Sequence, residues 1–182
     1  MRITLLVMLL FCGVAHAADL REVVMDKEDG VYLLRSTVWF DVGQESLFAV
    51  FLDYDLAEDY SSFVSESRNL EPGDDGLRRY YIRNEGCVWF FCRSFERVGV
   101  VEHEPFQKII ATADATQSDF ASSVETWTLK QEGEGTLVVY TFEFEPKFWI
   151  PPLIGPYVLQ SKLERDSLYA LERIEAIARE QT

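Results

Sequence analysis

Residues 124–146 read VETWTLKQEGEGTLVVYTFEFEP and decide the fold. Two strand-forming stretches, 124–131 and 136–145, flank the residues EGEG at 132–135, and glycine-rich polar clusters of this kind connect neighbouring strands. Bulky side chains alternate along both stretches, as strands with one buried face require. These side chains are Trp127, Leu129, Tyr140, Phe142 and Phe144. The segment therefore predicts a pair of antiparallel strands with one apolar face.

Five more strands are predicted upstream of this pair, at 30–41, 64–70, 77–83, 90–102 and 108–113. The apolar side chains of the first strand alternate with polar ones, and Ser36 is the one small polar member of that face. The apolar members are Tyr32, Leu34, Val38 and Phe40. The last six strands follow one another along the chain, which predicts a meander.

Helical patterns flank the strands. One short helix is predicted at 44–53, and Asp55 is placed to cap a second one that runs toward Phe63. A long amphipathic helix is predicted at 156–179, about 36 Å in length. Its apolar stripe consists of Leu163, Ala170, Leu171, Ile174 and Ala178. These faces are all buried only if the sheet curls and the long helix lies across its concave side, which is a helix-grip arrangement.

Several motifs in this order resemble the START-like superfamily, in the branch that contains polyketide cyclases and coenzyme Q-binding proteins. They are Leu52-Asp53-Tyr54-Asp55 with Tyr60, Glu125-Thr126-Trp127-Thr128-Leu129, Gly135-Thr136, and Phe142-Glu143-Phe144-Glu145-Pro146. The resemblance spans about 30–178. It implies an α+β fold in which a curved seven-stranded antiparallel sheet surrounds a long C-terminal helix, with two short helices after strand 1. It also implies a cavity inside the grip.

The first 17 residues are predicted to be a signal peptide that is cleaved after Ala17, because Arg2, an apolar run and an A-x-A site follow one another. A membrane anchor is the alternative, but an apolar run of roughly 12 residues is shorter than the ~20 that span a bilayer. Lipidation at Cys12 is disfavoured by the bulky Phe11 before it. The sequence thus predicts an exported, periplasmic bacterial protein with a signal peptide at 1–17, an N-terminal extension at 18–29 and one domain at 30–180.

The composition excludes some partners. The chain carries 17 basic and 31 acidic side chains, a net charge of −14. Nucleic acids and anionic lipids bind through clustered Lys and Arg, so neither is an expected partner, and no stable membrane insertion is expected. The acidic surface is most simply explained by solubility.

Catalytic candidates are few. His103 is the only histidine after the signal peptide, and one histidine makes neither a metal site nor a triad, so no metal, cofactor or catalytic residue is predicted. The chain lacks a G-x-S-x-G elbow, a glycine-rich phosphate loop and an H-E-x-x-H motif. Arg79, Tyr81 and Arg83 share one face of a strand and Tyr80 lies on the other, but the pattern leaves open which face points inward.

Cys87 and Cys92 allow two interpretations. If 87–92 is a straight strand, the two Cα atoms are ~16 Å apart and no bond forms. If 88–91 is a four-residue hairpin tip, the cysteines face each other and a disulfide is possible. The turn-like residues at 84–86 favour the straight strand, whereas export to an oxidising compartment favours the disulfide. Either way, no side chain is placed to activate a cysteine as a nucleophile.

The connection at 146–156 is unusually apolar and contains four prolines. It is either an apolar lip on the cavity or a packed cover over one end of the sheet. Small residues on the long helix, Ser167 and Ala170, leave volume inside the grip, so an elongated apolar cavity is expected. The predicted lining and lip residues are Leu34, Val38, Trp127, Leu129, Tyr140, Phe142, Phe144, Phe148, Trp149, Ile150, Leu163, Ser167 and Ala170.

Three functions are compatible with this sequence. The leading one is a binding or carrier protein for an apolar small molecule, lipid-like or quinone-like. The second is an enzyme of the cyclase or dehydratase type that uses tyrosine, arginine or carboxylate groups in the cavity. The third is an interaction module of the cell envelope that docks through its acidic surface or through Trp89 or Trp149. An ionisable group buried in the cavity would favour the second function, whereas a purely apolar lining would favour the first.

Overall fold

One antiparallel sheet of eight strands dominates the computed structural model, which describes residues 18–88, 91–150 and 156–181. The strands are β1 (Asp19–Glu28), β2 (Val31–Phe40), β3 (Val64–Leu70), β4 (Arg78–Val88), β5 (Phe91–Glu104), β6 (Lys108–Ala113), β7 (Phe120–Glu132) and β8 (Gly135–Pro146). The helices are α1 (Gln44–Leu52), α2 (Ala57–Tyr60) and α3 (Pro156–Glu180), and a 3-10 turn at Tyr54–Leu56 lies between α1 and α2.

The strand order is β1-β2-β8-β7-β6-β5-β4-β3. Strands β3 to β8 are neighbours in sequence order, so the predicted six-stranded meander is confirmed. Strand β2 pairs with β8, which brings the first predicted strand beside the last one. In the β7–β8 hairpin, Glu132 pairs with Gly135, and Gly133 at the turn has a positive φ of 67° that glycine adopts without strain.

The prediction of seven strands was one short, because the segment expected only as an extension forms β1. This strand pairs with β2 from Asp19 to Glu28. Its register shifts between Leu20 and Glu22, so the inward-facing side chains no longer alternate with a period of two. Most of its residues are also exposed, as is usual for an edge strand. Both features hid the strand from a search for alternation.

Strands β4 and β5 form a long hairpin, and the turn proposed at 84–86 was wrong. Cys87 pairs with Cys92 and Val88 with Phe91, so the connection consists of residues 89–90 alone, which lie outside the described residues. The two cysteines are joined by a disulfide. The hairpin interpretation had placed 88–91 at the tip, but Val88 and Phe91 belong to the strands.

The core lies between the inner face of the sheet and the helices. Buried side chains of α1, including Leu47 and Val50, join those of α3 and the sheet in one cluster. The predicted stripe of the long helix is confirmed at Leu171, Ile174 and Ala178, which are all buried. A second, smaller cluster is built from Met25, Tyr32 and Leu34. Within the described ranges, no helix combines the length and apolar character needed to cross a membrane.

Candidate functional site: a cavity with a polar inner end

A cavity of about 420 Å³ lies between the inner face of the sheet and the helices. Strand side chains form most of its wall, and α3 contributes Ser167, Ala170, Leu171 and Ile174 to the opposite side. The small side chains at 167 and 170 leave space beside the helix, as the sequence indicated. Ser36 on β2 is a further small lining residue.

Most of the predicted lining residues do line this cavity. They are Leu34, Val38, Trp127, Tyr140, Phe142, Phe144, Phe148, Ile150, Ser167 and Ala170. Those on β2, β7 and β8 alternate along their strands, which places them on the face that the helices cover. Whether they contact a ligand stays a prediction.

Two predicted lining residues lie elsewhere. Leu129 is 3% exposed but packs in the main core, where α1 covers this end of β7 and the Gln44 side chain donates to the Leu129 carbonyl at 3.3 Å. Trp149 is 68% exposed, because Phe148 and Ile150 on either side of it point to the cavity. The side chain of Leu163 lies outside the described residues.

Three polar side chains from different strands, two of them buried and one half-buried, meet at one part of the cavity wall. Arg97 on β5 and Glu125 on β7 form an ion pair with Nη1 2.8 Å from Oε1, and their side chains are 4% and 6% exposed. The Tyr140 hydroxyl on β8 donates to the same Oε1 at 2.9 Å. We call these residues the polar cluster. The lining is therefore not purely apolar, and the polar cluster defines the inner end of the cavity.

The local sequence explains how the polar cluster forms across strand β6. Glu125 lies directly opposite Ala111 of β6, whose methyl group is 1% exposed. A small residue at this position leaves room above β6 for a long side chain. The Arg97 guanidinium reaches the carboxylate and also lies over the Phe142 ring, 4.7 Å from its centroid.

The surroundings of the polar cluster control its protonation. Burial, followed by the negative charge of Glu125, raises the pKa of Tyr140 and of Tyr54 well above the usual value. Burial also raises the pKa of Tyr80 to about 12. For Arg97, burial acts to lower the pKa, but the charge of Glu125 and the neighbouring phenols outweigh it and raise the pKa. At neutral pH the inner end therefore presents protonated phenols and a guanidinium, which are hydrogen-bond donors.

Tyr54 is held beside the polar cluster by the turn that follows α1. The Asp53 carboxylate accepts from the Asp55 backbone N–H at 3.1 Å and from the Asn69 side chain at 2.6 Å, so Asp53 is the capping residue. The expected cap Asp55 instead accepts from the Asn69 backbone N–H at 2.8 Å, because this bond ties the turn to β3. The Tyr54 ring then stacks on Tyr80, with centroids 4.5 Å apart.

Some buried polar atoms at the cavity wall make no hydrogen bond within the described ranges. They are the Tyr54 hydroxyl, Arg97 Nε and Asn84 Oδ1, all on lining residues. A buried polar atom without a partner costs about 1–3 kcal/mol, so such atoms are rare unless water or a ligand satisfies them. The Tyr54 hydroxyl and Arg97 Nε are donors, and both face the part of the cavity wall where Tyr140 lies.

Five phenylalanines form an aromatic cluster next to the polar cluster. They are Phe95, Phe120, Phe142, Phe144 and Phe148, and all of them line the cavity. Phe120 is 1% exposed and lies at the centre, 5.3 Å from the Phe95 centroid and 5.8 Å from that of Phe148. Such a wall gives a ligand apolar contact area but constrains its orientation only weakly.

The cavity opens beside the β4–β5 hairpin. Its exposed lining residues concentrate there and in the connection before β3; they are Ser62, Glu85, Cys87 and Arg93. We call this region the mouth. The Cys87–Cys92 disulfide holds the hairpin at the mouth, and the Arg93 guanidinium lies 4.6 Å from the centroid of Phe148.

The other polar residues considered from the sequence lie outside the cavity. Tyr80 is fully buried on the inner face of β4, so Arg79, Tyr81 and Arg83 occupy the outer face. His103 is exposed in β5 and packs edge-on against Phe48. The described residues contain no group of three side chains arranged to hold a metal ion.

Arg97 and Glu125 were missed as site residues, although one signal was present for Glu125. Glu125 lies two residues before Trp127 on β7, so both side chains are on the same face of the strand. A prediction that placed Trp127 on the cavity face therefore implied the same for Glu125. Arg97 gave no such signal, because the inward face of its strand was not assigned from the sequence.

The curled sheet, the long helix and the cavity between them together define a helix-grip protein. Residues 34–179 match the model of a protein family described as polyketide cyclase/dehydrase and lipid transport. The chain belongs to this family, and the resemblance to the START-like superfamily is confirmed. No curated protein matches the chain.

Solved structures with the same fold include a START superfamily protein, an aromatase/cyclase and a lipid transfer protein. A START superfamily protein from Mycobacterium smegmatis is 19% identical with a TM-score of 0.60, over 82% of this chain and 99% of that one. The ZhuI aromatase/cyclase from Streptomyces sp. R1128 is 15% identical with a TM-score of 0.59, over 83% and 95% of the two chains. A STAR-related lipid transfer protein from Xanthomonas axonopodis is 14% identical with a TM-score of 0.57, over 86% and 98%. At these identities the likeness establishes the shared fold.

Proposed function

We propose that this protein binds an elongated, mostly apolar small molecule in its cavity, with an oxygen of the ligand at the polar cluster. The family to which it belongs includes lipid transport, and the bound molecule is lipid-like or quinone-like. Binding is noncovalent, and its affinity comes chiefly from buried apolar area.

The observation that carries this proposal is the uneven distribution of the lining. Apolar and aromatic side chains form most of the wall, whereas buried hydrogen-bond donors are concentrated at the inner end. An apolar body fits against the aromatic cluster, and an acceptor oxygen satisfies Tyr54 or Arg97. A hydrocarbon without an oxygen leaves these donors unsatisfied.

The experiment is to fill the cavity from the long helix. Ala170→Trp places an indole in the cavity, whereas Leu168→Trp places the same side chain on the exposed side of the same helix, where Leu168 is 59% exposed. Binding is measured by fluorescence of a neutral apolar dye and by the shift in Tm with lipids and quinones. A ligand at one hundred times its Kd stabilises the folded state by about 2.7 kcal/mol.

Wild type and Leu168→Trp are expected to bind the dye and to gain stability with at least one ligand class, while Ala170→Trp stays folded and binds neither. Circular dichroism verifies that Ala170→Trp is folded. Native mass spectrometry of protein purified without added ligand tests whether a molecule is already bound. A wild-type protein that carries no molecule and shows no Tm shift with any lipid or quinone contradicts the proposal.

The buried ion pair favours a second candidate, an enzyme of the cyclase or dehydratase type. In such a reaction, Arg97 and Tyr54 stabilise the oxygen of a ketone as it gains negative charge, and Glu125 removes a proton from the carbon next to it. The carbanion then attacks a second carbonyl of the same molecule, and loss of water leaves a cyclic enone.

A simple substrate tests this candidate. Heptane-2,6-dione closes to 3-methylcyclohex-2-enone plus one water, and the product is followed by its absorbance. Turnover that exceeds the buffer rate and is lost in Tyr54→Phe, with binding of the apolar dye retained, establishes the enzyme. If the diketone binds but reacts no faster than in buffer, the protein binds this molecule without catalysing its cyclisation.

Export is part of the leading proposal. Its support is the leader-like stretch before Ala18, together with a disulfide, a bond that persists in oxidising compartments. Protein expressed with its own N terminus in a bacterial host is expected in the osmotic-shock fraction, with Ala18 as its first residue by mass spectrometry. Full-length protein that retains Met1 inside the cell contradicts export.

A further inference from the structure

We propose that Arg93 at the mouth recognises an anionic end group of the ligand, so that the ligand is an apolar molecule with a carboxylate or a similar acidic group. This inference rests on the proposed binding function and narrows its ligand class. It assigns opposite ends of one ligand to two arginines of the same strand.

The first observation is that Arg93 faces the cavity. Arg93, Phe95 and Arg97 occupy alternate positions of β5 and all line the cavity. Arg93 is exposed and Arg97 is buried, so the strand runs from the mouth to the inner end. Four residues of extended strand separate the two arginines by about 13 Å. An elongated molecule along β5 therefore has a guanidinium near each end.

The second observation is the charge state of the mouth. In a chain with 31 acidic side chains, several arginines contact a carboxylate within 4.0 Å. Arg93 has no carboxylate at that distance within the described ranges, and its guanidinium lies over the Phe148 ring. The ring occupies one face of the guanidinium, so the N–H donors along its edges stay available.

The third observation is the space around Arg93. Its partner across the hairpin is Gly86, which has no side chain to cover the guanidinium. Glu85 also lines the cavity, but its carboxylate is 3.2 Å from Arg83. Asp166 of α3 is a further acidic lining residue, and it has an interaction of its own.

These observations together favour an acidic ligand group. A guanidinium binds a carboxylate through two parallel hydrogen bonds, which are stronger than bonds between neutral groups. Phe148 fixes the guanidinium against the aromatic wall, so the apolar body of the ligand and its acidic group meet adjacent surfaces. A neutral apolar molecule of the same length uses the wall but gains nothing from Arg93.

The test compares two probes that differ only at the end group, dodecanoate and dodecan-1-ol. Each displaces the neutral dye N-phenylnaphthylamine from wild type, Arg93→Gln, Arg93→Lys and Arg35→Gln. Arg35→Gln is the matched control, because Arg35 is exposed in β2, does not line the cavity and carries the same charge. Wild type is expected to prefer dodecanoate. Arg93→Gln lowers the affinity for dodecanoate about tenfold and leaves that for dodecan-1-ol within about twofold, while Arg93→Lys and Arg35→Gln keep the preference.

The outcomes separate this inference from the proposed function. If wild type binds both probes equally, or if Arg93→Gln weakens both equally, the anionic subsite is wrong and the apolar cavity stands. If wild type binds neither the dye nor the probes, the proposed function fails and the inference fails with it.

Discussion

The inner end and the mouth of the cavity each present an arginine from the same face of β5, but the fold treats the two charges differently. Arg97 is 3% exposed, and the chain supplies Glu125 at 2.8 Å and a hydrogen-bonded Tyr140 beside it. Arg93 is exposed, and its described side-chain contact is an aromatic ring. A charge removed from water needs a counter-charge from the protein, whereas a charge in water does not.

We therefore expect Arg97 at the inner end to contribute to stability and Arg93 at the mouth to contribute to ligand recognition. The polar cluster is part of the folded structure, because either of its charges is costly to bury without the other. The mouth arginine is available to a ligand because the fold does not depend on it. Substitutions at the two ends are therefore expected to have opposite signatures, with a large effect on unfolding at the inner end and an effect on binding at the mouth.

Glu125→Gln is expected to have the largest effect. It keeps the size of the side chain but leaves the buried Arg97 without a counter-charge, which lowers the free energy of unfolding by about 3 kcal/mol, or Tm by roughly 6–12 °C. Urea unfolding followed by circular dichroism measures the change.

Two controls sharpen this result. Arg93→Gln, the same loss of one charge at the mouth, is expected to change the free energy of unfolding by less than about 0.5 kcal/mol. The double variant Arg97→Met with Glu125→Leu removes both buried charges and is expected to recover most of the stability. If Glu125→Gln is as stable as Arg93→Gln, the two ends do not differ and the comparison is wrong.

The disulfide at the mouth is expected to have the next largest effect. Replacing Cys87 and Cys92 with serine removes a covalent restraint on the unfolded chain, and for a loop this short the loss is about 2 kcal/mol. The same loss is expected for wild type in a dithiol reductant, which converts the disulfide to two thiols.

The disulfide also tests whether the two ends are independent. Combined with Glu125→Gln, the serine variant is expected to show additive losses within about 0.5 kcal/mol, because the cysteines and the polar cluster share no contact among those described. A strongly non-additive loss means that the hairpin and the inner end form one cooperative unit. Serine variants as stable as wild type mean that the disulfide does not contribute to stability.

The sequence predicted the parts of the fold that depend on regular alternation. Strand β6 and the meander were placed correctly, as were the buried Leu171, Ile174 and Ala178 of α3, because each of these elements buries one continuous face. Strand β1 was missed because its register shifts between Leu20 and Glu22. The hairpin was misplaced because 84–86 has the composition of a turn, while the pairing of Cys87 with Cys92 shows that both strands continue past these residues.

The candidate site was only half predictable for a similar reason. Its apolar wall follows from local periodicity, whereas the polar cluster joins β5, β7 and β8 through contacts between residues that are distant in the chain. No spacing rule connects Arg97 with Glu125. Their proximity depends on the strand order, which is a property of the assembled sheet.

The smallest expected effect is on the loss of stability at alkaline pH, and it concerns Tyr80, whose ring stacks on Tyr54 beside the polar cluster. Burial raises the pKa of Tyr80 to about 12, and in the unfolded chain a tyrosine titrates near 10. Above pH 10 the unfolded chain therefore loses this proton first, so the stability contributed by the neutral phenol is complete below pH 10 and is lost as the pH rises toward 12.

Tyr80→Phe removes this loss, so the variant is expected to fall in stability by about 1 kcal/mol less than wild type between pH 10 and pH 11. At pH 7 it should be no less stable than wild type, because the Tyr80 hydroxyl makes no hydrogen bond within the described ranges. Urea unfolding at the three pH values measures both effects, and an equal alkaline loss in the two proteins would show that the Tyr80 phenol is not shielded from water.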